Sequence, residues 1–325
     1  MNAAEKQLRA RIAAEGSIGL DEYMAEANAH YYATRDPLGL AGDFVTAPEI
    51  SQMFGEIVGA ALADAWARAG RPDAVFAELG PGRGTLAADA LKVMRRSGFG
   101  GEAHFVETSG KLHEMQRARV PDAIFHDRIE QLPQRPLLLV ANEFFDALAI
   151  RQWVGAQERR IAISDTRFAF TIDGPIREMS PAREAAVTAL ATHLAAHGGV
   201  GLVVDYGFSS GESGDTLQAV REHCFADPLE APGEQDLTAH VDFVALAKAA
   251  RGAGAQVSRV ASQGSWLETL GIAARATGLA ARNPARTEAI AAARRRLCDD
   301  REMGRLFKVV ALRHPDWPEV AGFER

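Results

Sequence analysis

The stretch Val75-Phe-Ala-Glu-Leu-Gly-Pro-Gly-Arg-Gly84 constrains the fold of this chain more than any other feature. A short apolar strand runs directly into three glycines at alternate positions, and a helix is predicted from Thr85 to about Arg96. Glycine adopts backbone angles that a Cβ would forbid, so the main chain can lie against a ligand. The first N–H groups of the helix point to the same place. This order of elements is typical of a nucleotide-binding α/β domain.

The spacing of the glycines distinguishes between cofactors. The dinucleotide fingerprint is G-x-G-x-x-G, whereas this chain has Gly80-x-Gly82-x-Gly84, with Glu78 two residues before the first glycine. This form resembles motif I of the S-adenosylmethionine (SAM) dependent methyltransferases. The resemblance implies that Glu78, the three glycines and Thr85 contact SAM. A NAD-dependent dehydrogenase is the least favoured alternative, because the glycine spacing differs from the dinucleotide fingerprint.

Polar side chains follow each of the first four predicted strands. The later three strands are predicted at residues 103–106, 123–125 and 136–141. The carboxyl ends of parallel strands meet at one edge of a sheet, where open α/β sheets bind ligands, and an acid after the second strand suits ribose hydroxyls. An acid after the third strand commonly contacts the adenine amine in methyltransferases. Each residue alone is equally well explained as a helix cap or a loop residue, but the succession favours a cofactor site made of Glu107, Thr108, Asp127 and Asn142.

Composition excludes several classes of function. The chain of 325 residues, 47% hydrophobic, can bury one large core or two modest ones. No run approaches the roughly 18 apolar residues of a membrane span, and the first residues resemble no targeting segment, so we expect a cytoplasmic protein. The two cysteines, Cys224 and Cys298, lie in no metal-binding pattern, and we expect no metal. The net charge of −7 disfavours a nucleic-acid partner.

The pattern of elements predicts one domain over residues 1–325. Residues 1–70 form an N-terminal helical cap and an active-site loop, with helices over 5–35 and from Pro48 to Ala69. Residues 71–206 form the cofactor core, with β-hairpins inserted at 150–178 and a fifth strand at 200–204. Residues 207–325 complete the sheet: a Pro- and Gly-rich connection spans 208–239, an Ala-rich helical insertion spans about 265–300, and a last strand spans 306–312.

Several motifs occur along the chain in one order. They are Gly42-Asp-Phe-Val-Thr-Ala-Pro-Glu-Ile-Ser-Gln-Met-Phe-Gly-Glu56, Glu78-Leu-Gly-Pro-Gly-Arg-Gly-Thr85, Val106-Glu-Thr-Ser109, Ala141-Asn-Glu-Phe-Phe-Asp-Ala-Leu148, Asp205-Tyr-Gly207, Gly214-Asp-Thr-Leu-Gln-Ala219, Asp236-Leu-Thr-Ala-His-Val-Asp242 and Gly304-Arg-Leu-Phe-Lys-Val309. Together they resemble the MidA family of SAM-dependent methyltransferases of bacteria and mitochondria, over nearly the whole chain.

The resemblance implies a class I, Rossmann-like methyltransferase fold, with a seven-stranded sheet whose final strand is antiparallel. It implies SAM as cofactor and S-adenosylhomocysteine as product. Mitochondrial members methylate an arginine on a core subunit of respiratory complex I during assembly, which implies a protein partner. Two departures stand out. Members usually carry a longer His-Pro-x-x-Gly-Tyr-Tyr stretch where only Ala29-His-Tyr-Tyr32 remains, and Ala149 replaces a proline after the fourth strand. The first departure puts substrate identity in doubt and leaves cofactor binding untouched.

An arginine acceptor sets chemical demands of its own. Its guanidinium is protonated at neutral pH, so carboxylates must orient it while a proton leaves. Glu143 and Asp146, just past the fourth strand, suit this role. We expect Glu143 to hold and polarise the acceptor nitrogen while Asn142 lines the cofactor; a helix-capping role for Asp146 is equally plausible.

Further candidates stand beside this pair. Thr46 is expected to contact the cofactor and Glu49 to act in catalysis. Together with Asp43, these residues would form a second wall of the active site. Alternatively, all three only cap the helix that starts near Pro48. Asp205 and Tyr206, after the fifth strand, are candidates to reach the acceptor. Phe144, Phe145 and His240 are better explained as structural residues.

Three functions fit these observations. The first is a protein arginine methyltransferase acting on a complex I subunit or a similar protein. The second is an N- or O-methyltransferase acting on a small molecule or another protein. The third, from a different class, is a non-catalytic assembly factor that keeps SAM binding for stability. The intact glycine loop, Glu107 and Glu143 argue against the third.

Overall fold

The N-terminal part of the chain is helical in the computed structural model, which describes residues 1–35, 45–210, 214–221 and 223–323. Its elements are α1 (Ala3–Glu15), β1 (Ile18–Gly19), α2 (Leu20–Thr34), α3 (Ala47–Ile50) and α4 (Gln52–Arg68). The single helix predicted over 5–35 is wrong, because Gly16 ends α1 at a φ of +81° that suits glycine. Tyr31 and Tyr32 lie within α2. Asp43 lies outside the described residues.

The helix predicted from Pro48 to Ala69 is interrupted at Ser51. This residue has an extended backbone, and its hydroxyl accepts a hydrogen bond from the Met53 N–H, so it caps α4. The preceding helix α3 is a single turn whose N-cap residue, Thr46, makes no capping bond with its side chain. Its first N–H groups are therefore available to a side chain from elsewhere in the chain.

The cofactor core alternates strands and helices as predicted. Its elements are β2 (Val75–Leu79), α5 (Thr85–Arg96), β3 (Ala103–Val106), α6 (Gly110–Arg119), β4 (Ile124–His126), a 3₁₀ turn (Ile129–Gln131) and β5 (Leu137–Asn142). Strand β2 is buried on both faces: Phe76 belongs to the core that includes Phe54 of α4, and Val75 belongs to the opposite core. Burial on both faces is what a parallel sheet between two helical layers requires.

The predicted hairpin insertion consists of β6 (Arg151–Val154), β7 (Gln157–Ser164), β8 (Arg167–Phe170) and β9 (Ile176–Met179). These strands form a sheet of their own, which β1 extends by pairing with β7. Leu8 of α1 and Tyr23 of α2 pack with Ile161 and Phe168 in one buried cluster. The N-terminal cap therefore rests on the insertion, an association that the sequence pattern did not indicate.

The remaining elements complete the central sheet. They are α7 (Pro181–His197), β10 (Gly199–Phe208), β11 (Gln218–Arg221), β12 (Cys224–Ala226), β13 (Asp236–Thr238), β14 (Val241–Asp242), α8 (Phe243–Gly252), β15 (Gln256–Val257), β16 (Ala261–Ser262), α9 (Gln263–Thr269), α10 (Ile272–Arg282), a second 3₁₀ turn (Pro284–Arg286), α11 (Thr287–Cys298), α12 (Met303–Leu306) and β17 (Phe307–Arg313). Strand β10 is longer than the predicted 200–204, so Asp205 and Tyr206 lie inside it. The connection predicted over 208–239 contains a small sheet of order β12-β11-β13.

The central sheet has the strand order β15-β17-β10-β5-β2-β3-β4 along its main path, with β14 and β16 as short additional pairings. Strand β17 is antiparallel to β10, whereas the pairs from β10 to β4 are parallel. The seven-stranded arrangement with an antiparallel final strand is thus confirmed. The carboxyl ends of β2, β3, β4 and β5 lie at one edge. Within the described ranges, no helix is long and apolar enough to cross a membrane.

Candidate active site

A cavity of about 630 Å³ opens at the carboxyl ends of β2 to β5, beneath α2 and α3. It brings together most of the predicted site residues. The lining includes Thr46, Glu49, Glu78, Gly80, Gly82, Thr85, Glu107, Thr108, Asp127, Asn142 and Glu143. Gly84 and Asp146 lie outside the lining.

The glycine loop shapes the floor of this cavity. Gly80 has a φ of +59°, and a Cβ there would lie 3.0 Å from Cδ2 of Phe144. Phe144 itself lines the cavity, whereas its neighbour Phe145 is fully buried in the core. Gly84 has a φ of +77° as the N-cap of α5, which explains its place in the motif without contact to the ligand. At its glycines, the loop therefore presents only backbone atoms to the cavity.

Two buried polar atoms in the lining lack a partner among the described residues. They are Oε2 of Glu78, two residues before the first glycine of the loop, and Oδ1 of Asn142 at the end of β5. Burial raises the pKa of Glu78 well above its usual value, because the charged form loses its hydration. Unpaired buried acceptors are costly. A ligand that carries hydroxyl or ammonium donors, as SAM does, would satisfy both atoms.

Glu107 is held in place at the end of β3. Its Oε1 accepts a hydrogen bond from the Ser109 N–H at 2.8 Å, and Nε2 of Gln116 donates to its Oε2 at 3.4 Å. The same Gln116 amide donates to the Gly82 carbonyl at 2.7 Å. Gln116 on α6, which the sequence gave no reason to select, thus ties the proposed ribose-binding carboxylate to the glycine loop. Thr108 and Asp127 follow on the same rim.

Glu49 belongs to the cofactor side of the cavity, rather than to the acceptor side for which it was predicted. The Thr85 hydroxyl donates a short hydrogen bond to Oε1 of Glu49, and Arg83 lies 3.7 Å from its Oε2. These two contacts attach the single-turn helix α3 to the glycine loop. These contacts connect Glu49 with the glycine loop, and the catalytic role expected of it stays a prediction.

Glu143 lies at the other end of the cavity with an unusual backbone. Its φ is +50°, a left-handed conformation that is uncommon for a residue with a Cβ. Its Oε1 accepts hydrogen bonds from the Ala47 N–H at 3.2 Å and from Nδ2 of Asn142 at 3.1 Å. Glu143 therefore supplies the cap that Thr46 does not give to α3. Its carboxyl is fixed in direction at the point where strand β5 ends.

Burial, together with the nearby charges of Asp146 and Asp236, raises the pKa of Glu143 to about 8. Asp205, also buried, accepts hydrogen bonds from the N–H groups of Phe145 and Asp146 at 3.0 and 3.1 Å. Burial and the neighbouring Asp146 raise the pKa of Asp205 as well. Of these four acids, Glu143 lines the cavity, and Asp146, Asp205 and Asp236 are buried near it.

Asp146 was predicted as a catalytic residue, but its side chain lies behind Glu143 in the protein interior. The buried Arg183 guanidinium donates to the backbone carbonyls of Phe145, Asp146, Ala239 and His240. This fixes the segment after β5 to the segment before β14. The charge of Asp146 raises the pKa of Glu143, and Asp146 does not line the cavity. His240 packs edge-on against Tyr206.

Residues of α2 also line the cavity, and sequence reasoning missed them. Nδ2 of Asn28 donates to the carbonyls of Ala147 and Leu237 at 3.1 and 2.7 Å. Tyr32 lies one turn later and faces the same space. The only signal for either was the shortened Ala29-His-Tyr-Tyr32 motif. No group of three or more His, Cys, Asp or Glu side chains suited to a metal ion occurs within the described part of the chain.

Comparison with known proteins decides the family. The Methyltransf_28 family model, of S-adenosyl-L-methionine-dependent methyltransferases, matches residues 57–173 and 155–261. The Drosophila melanogaster protein named protein arginine methyltransferase NDUFAF7 homolog, mitochondrial, is 35% identical over 98% of this chain and 88% of its own length. The human protein named protein arginine methyltransferase NDUFAF7, mitochondrial, is 32% identical over 82% of this chain and 73% of its own length. The chain belongs to this methyltransferase family.

A solved structure of the same family supports the cofactor site. A Burkholderia thailandensis protein crystallised with S-adenosyl-homocysteine is 30% identical and superposes with a TM-score of 0.90 over 99% of this methyltransferase and 95% of that chain. The family membership, the class I fold and SAM as cofactor, all implied by the resemblance to MidA proteins, are confirmed. The glycine cradle and the unpaired atoms of Glu78 and Asn142 fit that cofactor.

Proposed function

We propose that this methyltransferase transfers a methyl group from SAM to a guanidinium nitrogen of an arginine in a protein, either a subunit of respiratory complex I or a similar protein. The observation that carries the proposal is the acidic acceptor end of the cavity. There Glu143 lines the cavity, with Asp146, Asp205 and Asp236 buried around it.

Charge explains why these acids suit a guanidinium. The acceptor arrives as a cation with a pKa above 12, and the methyl donor is itself a cationic sulfonium. Carboxylates at the acceptor end offset the repulsion between the two cations and orient the planar guanidinium through paired hydrogen bonds. The fixed carboxyl of Glu143, capped onto α3, places that partner in advance.

The reaction also requires a proton acceptor. As the new C–N bond forms, the S–C bond of the donor breaks and its electron pair stays on sulfur. The attacking nitrogen then loses one proton, so that the methylated guanidinium again carries a single positive charge. Glu143 takes this proton in its ionised form, which is a stronger base than an ordinary carboxylate and becomes the major form above pH 8, because its pKa is about 8. The names of the relatives, protein arginine methyltransferases, support the choice of acceptor.

The test is methyl transfer from tritiated SAM to purified complex I core subunits of the same organism, with its extracted metabolites as the competing acceptors. We expect label on one subunit, located on arginine by mass spectrometry and abolished when that arginine is replaced by lysine. Label on lysine or on metabolites alone would contradict the proposed acceptor. Absence of turnover with every acceptor would favour the non-catalytic assembly factor.

A further inference from the structure

Tyr32 places its phenol between the cavity and a buried carboxylate. The residue lies on the side of α2 that lines the cavity, and its hydroxyl donates a hydrogen bond to Oδ1 of Asp236 at 2.8 Å. Asp236, on β13, is only 4% exposed. Neither residue belongs to the motifs that bind the cofactor, and the chemistry proposed above assigns them no contact with the acceptor.

The backbone around Tyr32 is fixed from three directions. Oγ of Ser109, after β3, donates to the Tyr32 carbonyl at 2.9 Å. One turn earlier, Asn28 donates to the carbonyl of Ala147 after β5, and its Oδ1 accepts the Leu237 N–H at 3.1 Å. The phenol is therefore held at a fixed position across the strand ends, as a recognition group must be.

The hydrogen bond to Asp236 determines what Tyr32 offers to the cavity. A phenol has one proton and can accept hydrogen bonds through its oxygen lone pairs. Because the proton is committed to Asp236, the oxygen presents lone pairs to a ligand, and the carboxylate behind it strengthens them. Glu143 offers carboxylate oxygens at the same end of the cavity, and it senses the charge of Asp236. An occupant of this space meets acceptors on two sides.

We infer that Tyr32, held by Asp236, accepts a hydrogen bond from a second N–H of the acceptor guanidinium while Glu143 binds the first. This inference rests on the proposed function and adds a specificity-determining residue to it. A guanidinium has five N–H donors and no acceptor, so its N–H groups can donate hydrogen bonds to both Tyr32 and Glu143. A ureido group of the same shape carries a carbonyl oxygen, which Tyr32 or Glu143 would repel.

The test uses two small probes on the full chain saturated with S-adenosylhomocysteine: N-acetyl-arginine methylamide and the corresponding citrulline derivative. Their affinities are measured by calorimetry for the wild type, Tyr32→Phe, Asp236→Asn and Tyr23→Phe. Tyr23 is a matched control, because it is a buried tyrosine of the same helix whose hydroxyl donates to the Pro228 carbonyl at 3.2 Å, and it does not line the cavity. Melting temperature and S-adenosylhomocysteine affinity report on folding and on the cofactor side.

We expect the wild type to prefer the arginine probe by about tenfold or more. Tyr32→Phe should weaken that probe about tenfold and remove the preference, while its S-adenosylhomocysteine affinity stays within about twofold. Asp236→Asn should weaken the arginine probe in the same direction, and Tyr23→Phe should match the wild type. Together these results would support the inference.

Two other results separate the inference from the proposed function. If the wild type binds the arginine probe selectively and Tyr32→Phe binds it equally well, the role of Tyr32 is wrong and the arginine acceptor stands. If the wild type binds neither probe, or prefers citrulline, the arginine acceptor itself fails. A Tyr32→Phe protein that loses S-adenosylhomocysteine in parallel would show that Tyr32 serves the cofactor, which also overturns the inference.

Discussion

The two ends of the cavity are built in different ways. The cofactor end uses a continuous segment, from Glu78 to Thr85, together with the residues that directly follow β3 and β4 and with Asn142, the last residue of β5. The acceptor end is assembled from distant parts of the chain: Tyr32 on α2, Glu143 after β5, Asp205 in β10 and Asp236 on β13. The first end depends on backbone shape, and the second depends on buried charge.

This difference separates what all such enzymes share from what makes each one specific. A glycine loop recognises the same cofactor whatever the acceptor, so its form is constrained by local backbone geometry. The acceptor end has to match one substrate, and side chains from several elements can be exchanged independently. Variants at the two ends should therefore fail in different assays.

The largest expected effect is on Glu143→Gln. The amide can still accept the Ala47 N–H, so α3 should remain capped, but it can neither carry a negative charge nor take up the proton. We expect turnover to fall about 10³-fold, roughly 4 kcal/mol in the barrier, while the S-adenosylhomocysteine dissociation constant stays within a few-fold. Single-turnover kinetics and calorimetry measure the two quantities separately.

Glu130→Gln is the matched control for this variant. Glu130 also lines the cavity, but it lies exposed after β4, on the cofactor side. We expect its turnover to remain within about threefold of the wild type. Unimpaired turnover in Glu143→Gln, or equal losses in both variants, would remove the distinction between the two ends.

A second variant, Gly80→Val, should impair cofactor binding and leave the acceptor end of the cavity unchanged. In Gly80→Val the new Cβ would lie 3.0 Å from Phe144 Cδ2, at a φ of +59° that valine tolerates poorly. We expect S-adenosylhomocysteine affinity to fall by at least about 100-fold. The control is Gly70→Val, because Gly70 has a φ of +85° with nothing within 4 Å of a Cβ, so it imposes the backbone strain without the contact. If Gly70→Val weakened binding equally, the loss would reflect general destabilisation.

Sequence reasoning succeeded where function depends on neighbours in the chain. The predicted bounds of β2, α5 and β3 agree with the structure, since each has a continuous apolar pattern and a glycine or polar boundary. The seven-stranded sheet with an antiparallel final strand followed from a family resemblance, whereas the order of the strands could not be predicted from the sequence. The hairpins at 150–178 were also found, because Gly155 and the positive-φ residues Asp165 and Thr166 mark their turns.

Sequence patterns were not sufficient where a residue's role depends on contacts with residues far away in the chain. Glu49 reads equally well as a helix cap or a catalytic acid, and only the fold shows that it meets Thr85. Asp146 follows Glu143 by three residues, yet the turn after β5 directs its side chain into the interior, where Asp205 accepts its N–H. Asp236 lies in a region predicted to be a connection, because β13 is only three residues long. Such short strands carry too few residues for a period to be recognised.

The pH dependence of turnover sharpens the role of Glu143. With a pKa of about 8, its carboxyl is mostly protonated at pH 7 in the free protein. We expect kcat/KM for the protein acceptor to rise with pH, by up to about tenfold per unit below 8, and to level off above it. Turnover of the Glu143→Gln protein should be much flatter over pH 6–9. A wild-type profile that is flat there would contradict proton transfer to Glu143.

The ionisation of Glu143 also makes the stability of the folded protein depend on pH. Because the pKa of Glu143 lies above the ordinary value of 4.5, the folded protein holds a proton that the unfolded chain releases between about pH 4.5 and 8. The contribution of Glu143 to stability is therefore present below that window and is lost as pH rises through it. We expect Glu143→Gln to melt a few degrees above the wild type at pH 8, and this advantage to shrink at pH 5. Differential scanning fluorimetry of the two proteins at both values would check the sign.

The smallest expected effect is at Gln116, a long-range contributor within the otherwise local cofactor end. Its amide joins the Gly82 carbonyl at 2.7 Å to Glu107 at 3.4 Å, so Gln116→Leu keeps the packing volume of α6 and removes both bonds. We expect the S-adenosylhomocysteine dissociation constant to rise roughly threefold to tenfold, since each bond contributes about 1 kcal/mol, and turnover at saturating SAM to remain near that of the wild type. Calorimetry and saturation kinetics together test this. A loss of turnover at saturating SAM would mean that the shape of the glycine loop also sets the geometry of transfer, and that the two ends of the cavity are coupled.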